Sequence, residues 1–181
     1  MKLSKPVNES YAANIVELMH TFPLDGLDNL VGARFMGYTA LIPKSYGPGL
    51  YVMFPPETQL SENFCRENNL YREPTLNANP KEQGYLEKNR RVKALKLRGN
   101  VSSCMILPLS CFDYLGDNAS EFKDGDTFDH IGDDKICEKY VIKSADGTPA
   151  GKTKMPKSRV DAKLFPLHVD SQQWFKHDKE Y

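Results

Sequence analysis

The chain has 181 residues, with 24 Lys and Arg against 24 Asp and Glu, 40% hydrophobic residues and a formal net charge of zero. That apolar content excludes a disordered chain, and the longest apolar run, Leu50 to Phe54, is far short of the ~20 residues a membrane-spanning helix needs. Zero net charge argues against a protein that holds nucleic acid by bulk charge, so any such binding has to be local. Domains of about 100–150 residues are usual, which leaves room for one domain and a tail. The first ten residues (Met-Lys-Leu-Ser-Lys-Pro-Val-Asn-Glu-Ser) lack the apolar segment of a secretory signal, so the expected location is cytoplasmic.

Residues 13–19 (Ala-Asn-Ile-Val-Glu-Leu-Met) predict a first strand. Residues 34–42 predict a second, rich in the aromatic and β-branched types that suit a pleated surface, and Leu50 to Phe54 a third, closed by Pro55-Pro56. Turn formers at 23–26 and 46–49 separate them. Ser61 is placed to cap a helix running to about Asn69, and 77–80 reads as loop. A second strand pair follows, with 91–98 and 101–108 joined by Gly99-Asn100, a hairpin signal. The adjoining apolar residues Ala94 and Leu95 slip the alternation by one, which predicts a bulge. The expected fold is mostly β, a small closed or partly closed barrel with one or two short helices; an antiparallel sandwich is the competing form. Residues 144–163 have linker composition, so the expected division is a barrel domain over 1–143 and a linker tail over 144–181.

The neutral total hides segregated charge. Lys88, Arg90, Arg91, Lys93, Lys96 and Arg98 fall in 88–98 with no acid among them, whereas 113–138 holds nine acids against Lys123 and Lys135. A basic strand face suits a phosphate backbone, because each cation neutralises phosphate and releases counterions. Tyr38, Tyr51 or Tyr71 would add base stacking. The plainer alternative is that edge lysines only block edge-to-edge aggregation.

No phosphate loop, dinucleotide fingerprint, zinc-protease helix or nucleophile elbow is present. Cys65, Cys104, Cys111 and Cys137 show no paired spacing and read as reduced thiols, with Cys104 and Cys111, beside Met105-Ile106-Leu107 and Phe112, as small core residues; their spacing with His20, His130, His168 and His177 does not support a metal site. Taken alone, the chain shows no catalytic site.

Several segments nevertheless resemble a known family. Phe54-Pro55-Pro56-Glu57-Thr58-Gln59-Leu60-Ser61, then Asn68-Asn69-Leu70-Tyr71-Arg72, then Gly84-Tyr85-Leu86-Glu87-Lys88-Asn89-Arg90-Arg91-Val92-Lys93-Ala94-Leu95-Lys96-Leu97-Arg98-Gly99 resemble the N-terminal part of ATP-dependent RNA ligases that carry an OB-fold module ahead of the adenylyltransferase domain. Val101-Ser102, Leu107-Pro108-Leu109, Gly125-Asp126-Thr127-Phe128-Asp129, Lys139-Tyr140 and Phe165 to Ser171 resemble the segments that follow. The likeness spans roughly 10–175, and Asn89-Arg90-Arg91-Val92 with Lys96-Leu97-Arg98-Gly99 is its most specific part.

Those ligases form a covalent lysyl-adenylate at Lys-x-Asp/His-Gly, on a lysine whose neighbours lower its pKa. No lysine here begins that motif: Lys123-Asp124-Gly125 lacks the spacer, Lys143 to Gly147 has one residue too many, and Lys176-His177-Asp178-Lys179 lacks the glycine. The resemblance therefore implies an OB-like barrel and linker, cut before the catalytic half, with no catalytic or metal-binding residue of its own. It would bind nicked or end-containing RNA and position the ends for 3′-OH/5′-phosphate joining. Lys88, Arg90, Arg91, Lys93, Lys96 and Arg98 are the candidate RNA contacts. ATP and magnesium are expected only for the absent domain, and a separate adenylyltransferase domain or subunit is a candidate second partner. The alternative from another class is a protein-interaction barrel that docks a partner subunit through its acidic and basic surfaces.

Overall fold

The computed structural model describes residues 2–116 and 121–142, which are mostly β with few helices. In chain order these are β1 (Leu3–Ser4), β2 (Ala13–Leu18), β3 (Leu30–Phe35), β4 (Tyr38–Pro43), β5 (Gly49–Phe54), β6 (Thr58–Leu60), α1 (Glu62–Glu67), β7 (Leu95–Leu97), β8 (Asn100–Ser102), β9 (Met105–Pro108), β10 (Thr127–Phe128), β11 (His130–Ile131), β12 (Asp134–Lys135) and β13 (Cys137–Lys139). Short 3-10 turns lie at Glu9–Tyr11, Pro74–Leu76 and Leu109–Leu115. The expected linker, 144–181, lies outside the described residues.

The central sheet runs β10-β2-β5-β9 and is antiparallel throughout, with Ile15 opposite Val52 and Val52 opposite Leu107. Side chains alternate across it, yet both faces are buried. Ala13, Ile15, Val52, Phe54, Met105 and Leu107 enter one core with Phe64 of α1 and Phe112 of the 109–115 turn. Val16, Leu18, Met53 and Ile106 enter a second core with Ala33, Phe35, Ala40 and Ile42 of the β3–β4 hairpin. A third small cluster joins Leu27, Leu30 and Leu41 to Leu95 and Leu97 of β7. The other ladders are β1-β11-β12, β13-β6, β3-β4 and β7-β8, and among the described residues the sheets do not join into a closed barrel.

Three of the expected strands are in fact broken. Residues 34–42 do not form one strand: the chain reverses at Met36-Gly37, whose φ values of 51° and 85° are those of a tight two-residue hairpin turn. A methionine in a left-handed position is uncommon, so the apolar run concealed the turn. Residues 91–98 form a strand only from Leu95; Arg91 makes a single bridge to Gln59, and the chain is irregular at the expected bulge. The β7–β8 hairpin turns at Arg98-Gly99 (φ 51° and 81°), one residue earlier than expected. The 101–108 run also breaks, because Ser102 and Ser103 turn aside to β4. The Leu41 amide donates to the Ser102 hydroxyl (3.2 Å) and the Ser103 amide to the Thr39 carbonyl (2.8 Å).

The helix forms as the sequence indicates. Ser61 Oγ accepts the Phe64 amide (3.2 Å) as its N-cap. Its end is fixed by Asn69, at φ 54°, with the Leu70 amide reaching back to the Cys65 carbonyl (2.9 Å) and the Asn69 amide to Arg66 (3.1 Å). Beyond it, buried Asn77 holds the loop to its own start: its amide nitrogen donates to the Tyr71 and Glu82 carbonyls and its oxygen accepts the Tyr71 amide. Gly84 then passes directly over Leu70, where an added Cβ would lie 2.3 Å from the Leu70 backbone.

Gly84→Ala is therefore expected to destabilise the protein by about 1–3 kcal/mol, since backbone rather than a side chain has to move. Gly47→Ala, which meets nothing within 4 Å, should stay within about 0.5 kcal/mol of the parent. Urea unfolding of both variants checks this.

Candidate nucleic-acid interface

The basic run begins at the turn of residues 87–90, closed by the Arg90 amide donating to the Glu87 carbonyl (2.9 Å). Asn89 Oδ1 accepts the Arg91 amide (3.2 Å), and Arg90 then takes a left-handed conformation at φ 57°. The chain emerges antiparallel to β6: the Leu60 amide donates to the Arg90 carbonyl and the Val92 amide to the Thr58 carbonyl. β13 pairs with the other side of β6, placing Glu138 opposite Gln59. The result is a three-membered ribbon whose inner side chains, Thr58, Leu60, Val92 and Cys137, are buried.

Period-two alternation puts Glu57, Gln59, Arg91, Glu138 and Tyr140 on the outer face. Arg91 is the centre of it. Its guanidinium makes two 2.7 Å contacts with the Glu57 carboxylate and lies over the Tyr140 ring, 5.1 Å from the centroid. Two parallel N–H···O contacts match the geometry of a carboxylate or a phosphate. Lys139 lies over the Tyr11 ring at 5.4 Å, so the ribbon carries two cation–aromatic pairs.

The six candidate contacts are placed differently. Arg90 is turned inward enough for Nη1 to donate to the Leu60 carbonyl (2.9 Å), and it lines a polar cavity of about 250 Å³ with Ser61, Glu62, Lys135 and Glu138. Lys93 has its side chain mostly covered and its ammonium 3.5 Å from Glu87. Arg98 sits away from the ribbon, at the β7–β8 turn, donating to the Gly26 carbonyl (2.6 Å). Lys88 and Lys96 are exposed, and neither forms an ion pair among the described residues. The run is thus divided between the ribbon (Lys88, Arg90, Arg91, Lys93) and a separate hairpin (Lys96, Arg98), because the chain leaves β6 after Val92.

The tyrosines expected to stack bases are elsewhere. Tyr71 is buried, and Tyr51 is already stacked on Tyr46 (centroids 5.0 Å apart) with its hydroxyl bonded to the Gly47 carbonyl. Tyr38 packs, partly buried, against the second core; among the described residues the rings that meet the ribbon's cations are Tyr140 and Tyr11. Lys139-Tyr140 belongs to the segments that resemble the ligases, but nothing in its local sequence links it to Arg91. Glu57, in another of those segments, gives no sign in the sequence that its carboxylate holds the arginine.

Within the acidic segment Asp124, Asp133 and Asp134 are exposed. Lys135 pairs with Glu138, and Asp129 is buried, accepting the Val7 amide (3.0 Å) and contacting His130 Nδ1 (2.9 Å). Among the described residues no three His, Cys, Asp or Glu side chains converge on a metal position, and no helix is long and apolar enough to cross a membrane.

No family model matches the chain, and no curated protein sequence matches it. Among solved structures it is similar to the Naegleria gruberi RNA ligase with PPi, at a TM-score of 0.48 and 20% identity over 77% of this chain and 37% of that one. A variant of the same ligase with AMP and Mn aligns at a TM-score of 0.44 and 23% identity over 66% of this chain and 32% of that one. A further variant, with ATP and Mn, gives 0.43 and 23% over 66% and 33%. The chain spans about a third of the length of these ligase chains.

The four cysteines are free and buried, and burial raises every thiol above its ordinary value, Cys104 and Cys137 to about 12. At pH 8 the thiolate fraction at those two sites is about one in ten thousand. Iodoacetamide is therefore expected to leave the native protein unlabelled at pH 8 and to label all four positions in urea. Rapid native labelling, read by mass spectrometry, would contradict the burial.

Proposed function

We propose that this chain is the RNA-binding, OB-like module of an ATP-dependent RNA ligase and that it positions RNA ends for 3′-OH/5′-phosphate joining. In this reading residues 1–143 form the module and 144–181 lead toward an adenylyltransferase domain or subunit supplied outside this sequence. ATP and magnesium act there, and the setting is cytoplasmic. The observation that carries the reading is the ribbon. Of the stretch most specific in its resemblance to those ligases, the first half, Asn89 to Val92, is folded onto β6 so that Arg91, Tyr140 and Glu57 share its outer face, and the second half, Lys96 to Gly99, lies on the separate β7–β8 hairpin.

The chemistry of that face suits RNA. A guanidinium held flat presents donors to phosphate, and the Tyr140 ring beside it offers a surface on which an unpaired base stacks. Lys88, at the turn that feeds the ribbon, has its ammonium available without first breaking an ion pair. Arg91 is different: a phosphate has to displace or share with Glu57. The carboxylate therefore sets the arginine's orientation and at the same time lowers its attraction for anions.

The test is binding to a nicked duplex RNA across a salt series. Lys88→Ala with Lys96→Ala should weaken binding and reduce the slope of log K against log salt by about 0.9 for each phosphate left without its cation. Glu57→Gln should tighten binding by about two- to fivefold at low salt, since it removes a competing charge next to Arg91. Absence of RNA binding at low salt would overturn the proposal in favour of a protein-docking domain.

A second measurement addresses the catalytic half. Incubation of the chain with labelled ATP and magnesium is expected to leave it unlabelled, since no lysine begins the adenylylation motif. A labelled protein band would mean that a lysine of this chain is itself the nucleophile.

A further inference from the structure

Beside the ribbon lies a second feature, a cavity of about 340 Å³ between the loop that follows α1 and the turn that delivers Arg90. Pro74, Leu76 and Leu86 provide apolar lining, while Arg72, Lys88 and Glu87 supply charged groups at its margin. The volume is at the lower end of the range for small-molecule sites, and the combination of apolar floor and polar margin suits one flat heterocycle bearing a charged substituent.

Its walls are held independently of any ligand. Tyr71 bridges to Leu86 in parallel register, and the Arg72 amide donates to the Leu86 carbonyl (2.8 Å). Asn77 makes its three bonds to the same loop, and Gly84 packs against the Leu70 backbone. A ligand entering such a cavity orders little of the protein, which lowers the cost of binding.

The charge at the margin favours an anion on one side. Glu87 is shared by two cations, with Arg72 at 4.0 Å and Lys93 at 3.5 Å. Glu73 accepts the Thr75 hydroxyl (3.1 Å). Lys88 is exposed without an ion pair among the described residues, so three cations face two carboxylates across the cavity and its immediate surroundings.

We propose that this cavity receives a single unpaired nucleotide of the RNA, its base against Pro74, Leu76 and Leu86 and its phosphate at Lys88. The proposal rests on the RNA-binding reading and adds a base-accepting subsite to it. Continuity supports the occupant: the turn of 87–90 forms one wall of the cavity and then carries Arg90 and Arg91 onto the ribbon. A strand whose phosphates follow the ribbon therefore arrives with one nucleotide at the cavity mouth.

Two measurements test the subsite separately from the ribbon. In the first, nucleoside 5′-monophosphates are titrated into the full chain while the Leu76 and Leu86 methyl signals are followed by NMR. In the second, a short single-stranded RNA is scanned with one abasic position at a time, against the parent protein and against Leu76→Trp, which fills the cavity. The expected result is methyl shifts at Leu76 and Leu86, and one abasic position that costs about tenfold in affinity with the parent and nothing with Leu76→Trp. Lys88→Ala, which leaves the floor intact, should weaken the mononucleotide shifts. RNA binding with a flat abasic profile and unmoved methyls would overturn the subsite and leave the ribbon reading standing. Mononucleotide shifts without any RNA binding would support the cavity and overturn the RNA reading. Absence of both would overturn both.

Discussion

Burial of both faces of the β2–β5–β9 sheet is the constraint on which the rest of the structure depends. A sheet with two buried faces has few side chains it can point at water, so nearly every position along it is apolar or is satisfied inside; Glu17, near the end of β2, is exposed. Asn14 illustrates the second case: it is buried in β2, its nitrogen bonded to the Ala12 carbonyl and its oxygen accepting the Thr127 hydroxyl. Two covers have to be supplied, and they are of different kinds. The β3–β4 hairpin covers one face. The other is covered by Phe64, Phe112, Phe122 and Phe128, whose rings meet at centroid distances of 5.2 to 5.7 Å. Such contacts add about 0.5–1.5 kcal/mol each beyond the area they bury.

That arrangement explains what could be read from the sequence and what could not. Strands β2 and β5 were legible because their apolar content is dictated by two-sided burial, and α1 because Ser61 is a cap by its chemistry. The hairpin turns were harder. Met36-Gly37 and Arg98-Gly99 each put a residue with a long side chain in a left-handed position ahead of glycine, and neither methionine nor arginine advertises a turn. Residues 91–98 misled for another reason. Arg91 and Val92 belong to one ribbon and Leu95 to Leu97 to another, so the alternation is two short patterns laid end to end. The site followed the same rule: the basic residues were visible as composition, but their partners, Glu57 and Tyr140, lie 34 and 49 positions away from Arg91 along the chain, and only the pairing of β6 with its two neighbours brings them together.

Charge that looked segregated along the sequence is mixed in space. Arg91 meets Glu57, Lys93 meets Glu87 and Lys135 meets Glu138. Arg91 and Lys93 are largely covered while their carboxylate partners are half-exposed, so these pairs fix the orientation of the cations as well as the local potential. A guanidinium held by a carboxylate on one side and a ring on the other has fewer conformations to lose when it meets a phosphate. The same carboxylate weakens the long-range attraction that brings the phosphate in.

Two of the five left-handed non-glycine residues among the described residues lie at this place. Glu57 adopts φ 69° and Arg90 φ 57°, each directly ahead of the segment it feeds into the ribbon. Glu57 occupies the third position of the turn Pro55-Pro56-Glu57-Thr58, closed by the Thr58 amide on the Pro55 carbonyl (3.3 Å). Glycine is the residue such a turn prefers there. A non-glycine residue in that region costs on the order of 1 kcal/mol. The cost is offset locally, since the Glu57 amide donates to the Val92 carbonyl (2.7 Å) and its carbonyl accepts the Tyr140 amide (2.9 Å). Glycine would relieve the turn and lose the carboxylate; glutamate keeps the carboxylate where the turn delivers it, against Arg91. At Arg90 the left-handed residue likewise retains a side chain, one that bonds the Leu60 carbonyl. Both positions accept an unfavourable backbone in exchange for a charged group at a fixed point on the ribbon.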